Sequence, residues 1–184
     1  RRATDLHRLP VDVYARTTNG QDRLSDNINF FHSYECCARQ YWRSKPLCNC
    51  EDTIVLIGFG KYGRSILERA ILTNIISVNQ HVAYHIFGNA KEFLAVHFRL
   101  GELFSLNEAS EARDALIFHE EPWIENRSLL EWADRVIICE DDEQQGWDIF
   151  WTLNKYYKLI GRIDLRSSWR VPEVMSVSPT FSPL

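Results

Sequence analysis

The sequence predicts an α/β fold with a doubly wound parallel sheet, and three observations lead to this prediction. A run of aliphatic residues without alternation, Ile54 to Ile57, is typical of a strand covered on both faces. A glycine-rich turn follows this strand, and a helical pattern follows the turn. Further hydrophobic strands then alternate with helices, which indicates βαβ units that close right-handed onto one parallel sheet.

The turn Gly58-Phe-Gly-Lys-Tyr-Gly63 carries the spacing G-x-G-x-x-G. Gly58 permits a tight turn, Gly60 leaves room for a pyrophosphate beside the backbone, and Gly63 lets the next helix pack closely. That helix, predicted from Lys61 to Ile76, offers free N–H groups and the positive end of its dipole to an anion. A strand before the motif and a helix after it favour a bound nucleotide. The alternative is a turn whose glycines serve packing alone.

The rest of the sheet is predicted from hydrophobic runs and helical spacing. The strands are expected at 81–87, 114–119, 134–139 and 159–165, with a sixth at 174–177, and the helices at 91–100, 126–132 and 144–158. Residues 101–113 are polar and predict a loop or a small hairpin. A glycine turn after the first strand favours the Rossmann-like strand order 3-2-1-4-5.

The segment before the sheet is predicted to be an appendage with a helix. Residues 1–20 favour a connector or short helices. Apolar residues from Leu24 to Tyr41 are compatible with one helical face, with Ser25-Asp26 as its cap and Pro46 as its end. The predicted division is an N-terminal appendage at 1–51, a Rossmann-like nucleotide-binding domain at 52–178 and a tail at 179–184. Whether the appendage joins the core stays open.

Composition narrows the function classes. The chain has 184 residues, 45% of them hydrophobic and 25% charged, with a net charge of -4. Without a basic block, nucleic acid is not an expected partner. No run of roughly 18 apolar residues occurs, so we expect no membrane span within this chain. The first residue is Arg1 and the only methionine is Met175, so we expect a piece of a longer protein.

The cysteines favour free thiols in a reducing, cytoplasmic compartment. Their number is odd, at five, and they accompany a Rossmann-type pattern, which argues against a disulfide scaffold. Four of them offer soft metal ligands, but their spacing matches no standard zinc motif. These four are Cys36, Cys37, Cys48 and Cys50.

Ligands of such sheets bind at the carboxyl ends of the strands, between the first and fourth strand. This places the glycine turn, Gly88-Asn89, His119-Glu120 and Glu140 to Glu143 around one crevice. A dinucleotide site usually has Asp or Glu at the end of the second strand, for the ribose hydroxyls. Here Asn89 stands there instead, and Lys91 favours a phosphate. NAD is therefore disfavoured, and NADP, an adenine mononucleotide or an empty site stay open.

No catalytic set is evident around this crevice. For the acidic run from Glu140 to Glu143, helix capping by Asp141 or Asp142 is favoured over contact with a ligand or cation. His119 with Glu120 can form a base and its partner, but a structural histidine is the favoured interpretation. Within these 184 residues we expect no second domain to hold a substrate, which a hydride-transfer enzyme normally needs.

Three stretches resemble the TrkA-N type of Rossmann domain, the nucleotide-binding half of the RCK modules that regulate potassium channels and transporters. They are Ile54–Arg64, Leu129–Cys139 and Asp141-Asp142 at the start of a helix. The acid after the second strand is missing, and His119-Glu-Glu121 replaces the glycine-aspartate pair that the family has after its third strand. The region between the second and third strands is also similar to the Rossmann region of bacterial proteins with ryanodine-receptor-type repeats.

The resemblance implies a non-catalytic, ligand-sensing module, commonly homodimeric, that is joined to a membrane or signalling protein. The alternatives are a fragment of an NAD(P)-dependent oxidoreductase and a Rossmann scaffold with no ligand. The expected ligand is NAD(P) or an adenine nucleotide. The residues predicted to contact it are Gly58, Phe59, Gly60, Lys61, Tyr62, Gly63, Asn89, Glu140 and Asp141.

Overall fold

The structure, a computed structural model, describes residues 13–17, 23–25, 28–48, 50–75, 77, 81–110, 113–156, 162–166 and 174–176. The strands are β1 (Val13–Thr17), β2 (Arg23–Ser25), β3 (Ile28–His32), β4 (Thr53–Ile57), β5 (Ala83–Phe87), β6 (Ser105–Leu106), β7 (Ala115–His119), β8 (Arg135–Ile138), β9 (Arg162–Arg166) and β10 (Val174–Ser176). The helices are α1 (Ser33–Ser44), α2 (Lys61–Thr73), α3 (Lys91–Val96), α4 (Leu100–Leu103), α5 (Arg127–Trp132) and α6 (Glu143–Tyr156), with a 3-10 turn at Trp123–Glu125.

The main sheet confirms the predicted Rossmann-like fold class. Its seven strands run in the order β10-β9-β8-β4-β5-β7-β6. With β4 counted as the first strand, β7-β5-β4-β8-β9 is the order 3-2-1-4-5, and these strands are all parallel. The sixth strand, β10, lies antiparallel to β9, and β6 adds a parallel edge strand beside β7.

Two hydrophobic cores lie on opposite faces of this sheet. Ile54 and Leu56 of β4 join the core that α1, α2 and α3 cover, whereas Val55 and Ile57 join the core that α5 and α6 cover. Because both faces are covered, β4 is apolar at every position from Ile54 to Ile57. This explains why the alternation of an exposed sheet is missing from the sequence.

The first strands and α1 correct the prediction for the N-terminal segment. The predicted helix from Leu24 to Tyr41, with its cap at Ser25-Asp26, is wrong because β2 and β3 occupy its first half and α1 begins at Ser33. The sequence of β3 is rich in β-branched and aromatic residues, which favour strands, and β3 pairs with both β1 and β2. β1 lies within 1–20, where a connector or short helices are predicted; the other residues of that range lie outside those described.

Helix α1 belongs to the main core. Ala38, Tyr41 and Trp42 are buried, and α1 packs against α2. The indole Nε1 of Trp42 donates a hydrogen bond to the carbonyl oxygen of Ile66, at 2.9 Å. Residues 33–44 thus cover one face of the sheet. This answers the question, left open by the sequence, of whether the N-terminal segment joins the core.

Several predicted boundaries also change. α2 ends at Thr73 rather than at Ile76, because the following Asn74 caps it and bonds through its side chain to the Tyr84 hydroxyl at 3.2 Å. The helix predicted at 91–100 divides into α3 and α4. The hairpin considered for 101–113 is not what forms, since β6 pairs in parallel with β7.

The ends of the remaining elements are described only in part. α6 begins one residue before its predicted start, and residues 157–161 lie outside the described part of the chain. The predicted tail at 179–184 lies outside it as well. No helix in the described part is both long and apolar enough to cross a membrane.

A buried charge network joins α1 and the following loop to β8 and β9. It consists of Tyr41, Lys45, Glu51, Arg135 and Asp164. The guanidinium of Arg135 donates to both carboxylate oxygens of Glu51, at 2.7 and 2.6 Å, and to the carbonyl oxygen of Lys45, at 2.9 Å. Asp164 accepts hydrogen bonds from the Tyr41 hydroxyl, at 2.7 Å, and from the Lys45 ammonium. Arg135 and Asp164 are both 0% exposed, whereas their partners Glu51 and Lys45 lie at the rim of the network and are partly exposed.

Candidate functional site

A cleft of about 1000 Å³ opens at the carboxyl ends of β4, β5, β7 and β8. The strand order reverses between β4 and β8, and this switch point is where open α/β sheets bind ligands. The described residues that line the cleft are Ile57, Gly58, Phe59, Gly60, Arg64, Phe87, Gly88, Asn89, Ala90, Lys91, Leu94, Asn107, Phe118, His119, Glu120, Glu121, Pro122, Trp123 and Glu140.

The glycine turn forms one wall of the cleft. Gly58 has a φ of 93°, in the left-handed region that favours glycine, and its N–H donates to the carbonyl oxygen of Phe87 at 3.0 Å. A Cβ on Gly63 would lie 2.4 Å from the carbonyl oxygen of Gly58. The turn and the first turn of α2 are therefore in direct contact, as the motif predicts.

The first N–H groups of α2 already hold an anion, the carboxylate of Asp141. Its Oδ2 accepts a hydrogen bond from the Lys61 N–H at 2.8 Å, and its Oδ1 accepts one from the Tyr62 N–H at 3.0 Å. A Cβ on Gly60 would lie 2.3 Å from Oδ2 of Asp141. The space that a side chain at Gly60 would fill is thus occupied by a carboxylate of the chain itself, where the sequence predicts a pyrophosphate.

The acidic residues after β8 have three different positions: two cap helices and one lines the cleft. Asp142 caps α6, because its Oδ1 accepts a hydrogen bond from the Gln145 N–H at 2.9 Å. Asp141 instead caps α2, from the opposite side of the switch point. Glu140 lines the cleft, and burial together with the charges of Asp141 and Asp142 raises the pKa of its carboxyl.

Asn89, at the place where a ribose-binding acid is expected, supports the start of α3. Its Oδ1 accepts a hydrogen bond from the Lys91 N–H at 3.1 Å. Nearby, the Arg64 guanidinium donates to Oε2 of Glu92 at 2.8 Å. The phosphate-binding role considered for Lys91 stays a prediction, and Lys91 does lie in the wall of the cleft.

A histidine pair lies beside the cleft, with His85 in the middle of β5 and His119 at the carboxyl end of β7. Nδ1 of His85 is 2.9 Å from Nε2 of His119, whose Nδ1 is 3.2 Å from Oε1 of Glu121. The His119 ring also stacks on Phe87, with 4.3 Å between ring centroids. Burial and the neighbouring charge of His119 lower the pKa of His85 to about 4. The partner of His119 is therefore Glu121 and another histidine, and the predicted pairing with Glu120 is not seen.

The residues predicted from the sequence fall into two groups. Five line the cleft, namely Gly58, Phe59, Gly60, Asn89 and Glu140. The other four form the start of α2 and its carboxylate cap, namely Lys61, Tyr62, Gly63 and Asp141. Sequence reasoning missed His85, whose proximity to His119 follows from the parallel register of β5 and β7.

The described residues offer no metal centre. No group of three or more His, Cys, Asp or Glu side chains among them is arranged to hold a metal ion. The five cysteines are free thiols; of these, Cys36, Cys48 and Cys50 are exposed and Cys139 is buried. Nor does a hydroxyl or thiol side chain occur among the described residues that line the cleft.

Comparisons with protein-family models, with curated proteins and with solved structures found no match to this chain. The resemblance to TrkA-N domains therefore stays a prediction.

Proposed function

We propose that this chain is a non-catalytic, ligand-sensing module that binds a molecule of the nucleotide family in the cleft. The family meant here comprises adenosine, its phosphates and NAD(P). The observation that carries the proposal is the position of the cleft, at the switch point of a Rossmann-like sheet and against a glycine turn.

The walls of the cleft suit a base and a sugar. Phe118, Trp123 and the His119–Phe87 stack supply flat, partly buried surfaces for a planar ring. Asn89 and Glu140 supply polar groups of the kind that bind ribose hydroxyls. A few polar groups on a mainly apolar wall are typical of small-molecule sites.

The non-catalytic part of the proposal rests on the resemblance to TrkA-N domains, which implies a ligand-sensing module. In the same proposal, the module acts in the cytoplasm as a homodimer and as part of a larger channel, transporter or signalling protein. Ligand binding would shift the population between two arrangements of the paired modules, by its differential affinity for them. The glycine-turn and acidic-run stretches that resemble TrkA-N domains support this part of the proposal.

A second candidate is a Rossmann scaffold that binds no ligand. The observation that favours it is the carboxylate of Asp141, which satisfies the N–H groups of Lys61 and Tyr62 without any ligand. The two candidates differ in one measurable property, which is stabilisation by added ligand.

Thermal unfolding with adenosine, AMP, ADP, ATP, NAD(H) and NADP(H) separates them. A ligand at 100 times its Kd stabilises the fold by about 2.7 kcal/mol, which appears as a higher Tm. Gly60→Asp should abolish the shift, because its side chain would meet Asp141 and project beside the glycine turn. Gly101→Asp, on α4 and outside the described lining, is the matched control and should keep the shift. No shift with any compound would reject the sensor and favour the scaffold.

A further inference from the structure

The carboxylate of Asp141 binds to α2 as the oxygens of a phosphate do at other helix starts. Its two oxygens take one N–H each, at 2.8 Å from Lys61 and 3.0 Å from Tyr62. Such forked, charge-assisted contacts are the usual means by which a helix N-terminus holds an anion. A ligand phosphate at this position would have to displace the carboxylate or lie against it with the same sign of charge.

The backbone on both sides of Asp141 is held in place. Before it, the Cys139 N–H donates to the carbonyl oxygen of Ile57 at 2.7 Å, which continues the pairing of β8 with β4. After it, Asp142 caps α6 through the Gln145 N–H. The carboxylate therefore stands on a short segment anchored at each end, and the missing side chain of Gly60 gives it room.

The charges of the cleft also oppose an anion. The described lining contains three acidic residues, Glu120, Glu121 and Glu140, against two basic ones, Arg64 and Lys91. The Arg64 guanidinium already donates to Glu92. Burial, followed by the charges of Asp141 and Asp142, raises the pKa of Glu140, in line with the surplus of acidic side chains around it.

We propose that Asp141 is a specificity-determining residue that excludes 5′-phosphates, so that the cleft selects a nucleoside with a neutral or cationic 5′ substituent. This inference rests on the proposed function and narrows its ligand class. The base would lie among the aromatic walls, with the 5′ end toward Asp141 and Glu140. These two acidic residues would attract a cationic 5′ group and repel a phosphate.

The test uses four ligands with one base and one sugar. They are 5′-amino-5′-deoxyadenosine, adenosine, AMP and ADP, whose 5′ ends run from positive to strongly negative. We expect calorimetric titration of the unaltered chain to give affinities for the first two at least tenfold higher than for AMP and ADP. In Asp141→Ala, the affinities for AMP and ADP should rise at least tenfold, with adenosine changed less than threefold.

Two further variants complete the experiment. Asp142→Ala removes a neighbouring carboxylate that also caps a helix, and it should leave the preference unchanged. Asp141→Glu keeps the charge and should keep the preference for adenosine. Its relative affinities for adenosine and AMP can be measured even if Asp141→Ala fails to fold. Tighter binding of AMP or ADP than of adenosine to the unaltered chain would overturn the inference and leave the proposed function standing. Binding of none of the four to the folded, unaltered chain would overturn the inference, and the thermal shifts with ATP, NAD(H) and NADP(H) would then decide the proposed function separately.

Discussion

The two ends of the main sheet treat charge in opposite ways. At the amino-terminal end of β8, Arg135 is 0% exposed and bound to Glu51 and to backbone carbonyls. At the carboxyl ends of the strands, Glu140 and His119 line an open cleft, and His85 lies behind His119. At the amino-terminal end of β8, the polar groups hold secondary-structure elements together. At the carboxyl ends of the strands, polar groups face the cleft, where a ligand can reach them. Substitutions should therefore change stability at the first end and binding at the second.

The largest effect is expected from Arg135→Met. The substitution removes the guanidinium partner of Glu51, which keeps only the Cys48 N–H, and takes a donor from the backbone carbonyls of Lys45 and Pro46. Breaking a buried pair from one side costs about 3–5 kcal/mol, which urea unfolding should show. Arg39→Met, in an exposed ion pair on α1, is the control and should change stability by less than about 0.5 kcal/mol. Equal losses of unfolding free energy in the two variants would mean that the buried charge network does not hold α1 to the amino-terminal end of β8.

Tyr41→Phe tests the same end more gently. The Tyr41 hydroxyl donates to Asp164 at 2.7 Å and is 3.3 Å from the Arg135 guanidinium, and burial with the charge of Asp164 raises its pKa well above the usual value. Loss of this buried hydroxyl should cost about 1–3 kcal/mol in the free energy of unfolding. Ligand affinity at the far end should stay the same. A changed affinity would show that the two ends are coupled.

The histidine pair beside the cleft should make stability depend on pH. The pKa of His85 falls from 6.5 to about 4 on folding, so the unfolded chain binds this proton first as the pH drops. The contribution of His85 to the free energy of unfolding is therefore fully present above about pH 6.5 and is lost as the pH falls toward 4. Since His85 is partly exposed, we expect a loss of about 1–2 kcal/mol rather than the full value of the shift. His85→Gln should flatten this part of the curve, and an unchanged slope would assign it to other groups.

Asp142→Ala should have the smallest effect. It removes the side-chain acceptor for the Gln145 N–H at the start of α6, which costs about 0.5–1 kcal/mol for an exposed cap. Urea unfolding measures the loss. A loss as large as that of Tyr41→Phe would indicate that the segment after β8 does more than begin α6.

Most of the sheet could be predicted because buried parallel strands leave a strong signal. Ile54 to Ile57 has no polar residue, and the glycine turn after it marks which strand comes first. The N-terminal segment gave no such signal. Its apolar residues match helical spacing by position, while the residues of β3 favour a strand by type, and pairing with β1 and β2 decided the outcome.

The groups that decide the site could be predicted only in part. The cleft follows from strand order, and so do the positions of Asn89 and Glu140. The bond from Asp141 to Lys61 joins residues 80 apart, and nothing local in the sequence indicates that this carboxylate reaches the neighbouring helix. In the same way, Arg135 begins its strand where a solvated charge is expected, and only the fold of α1 over it makes it buried.

The bond between Tyr41 and Asp164 sets a condition on how the protein is made. Its partners lie 123 residues apart, so this bond cannot form until β9 has been synthesised. Contacts of such long range form late, and surfaces that await them are exposed meanwhile. During translation, α1 can already pack on α2 through contacts such as the Trp42–Ile66 bond, but Tyr41 and Lys45 lack their aspartate until most of the chain has left the ribosome. A chain that stops before Arg162 would keep β4, β5, β7 and β8 but would lack the aspartate that pairs with Tyr41 and Lys45.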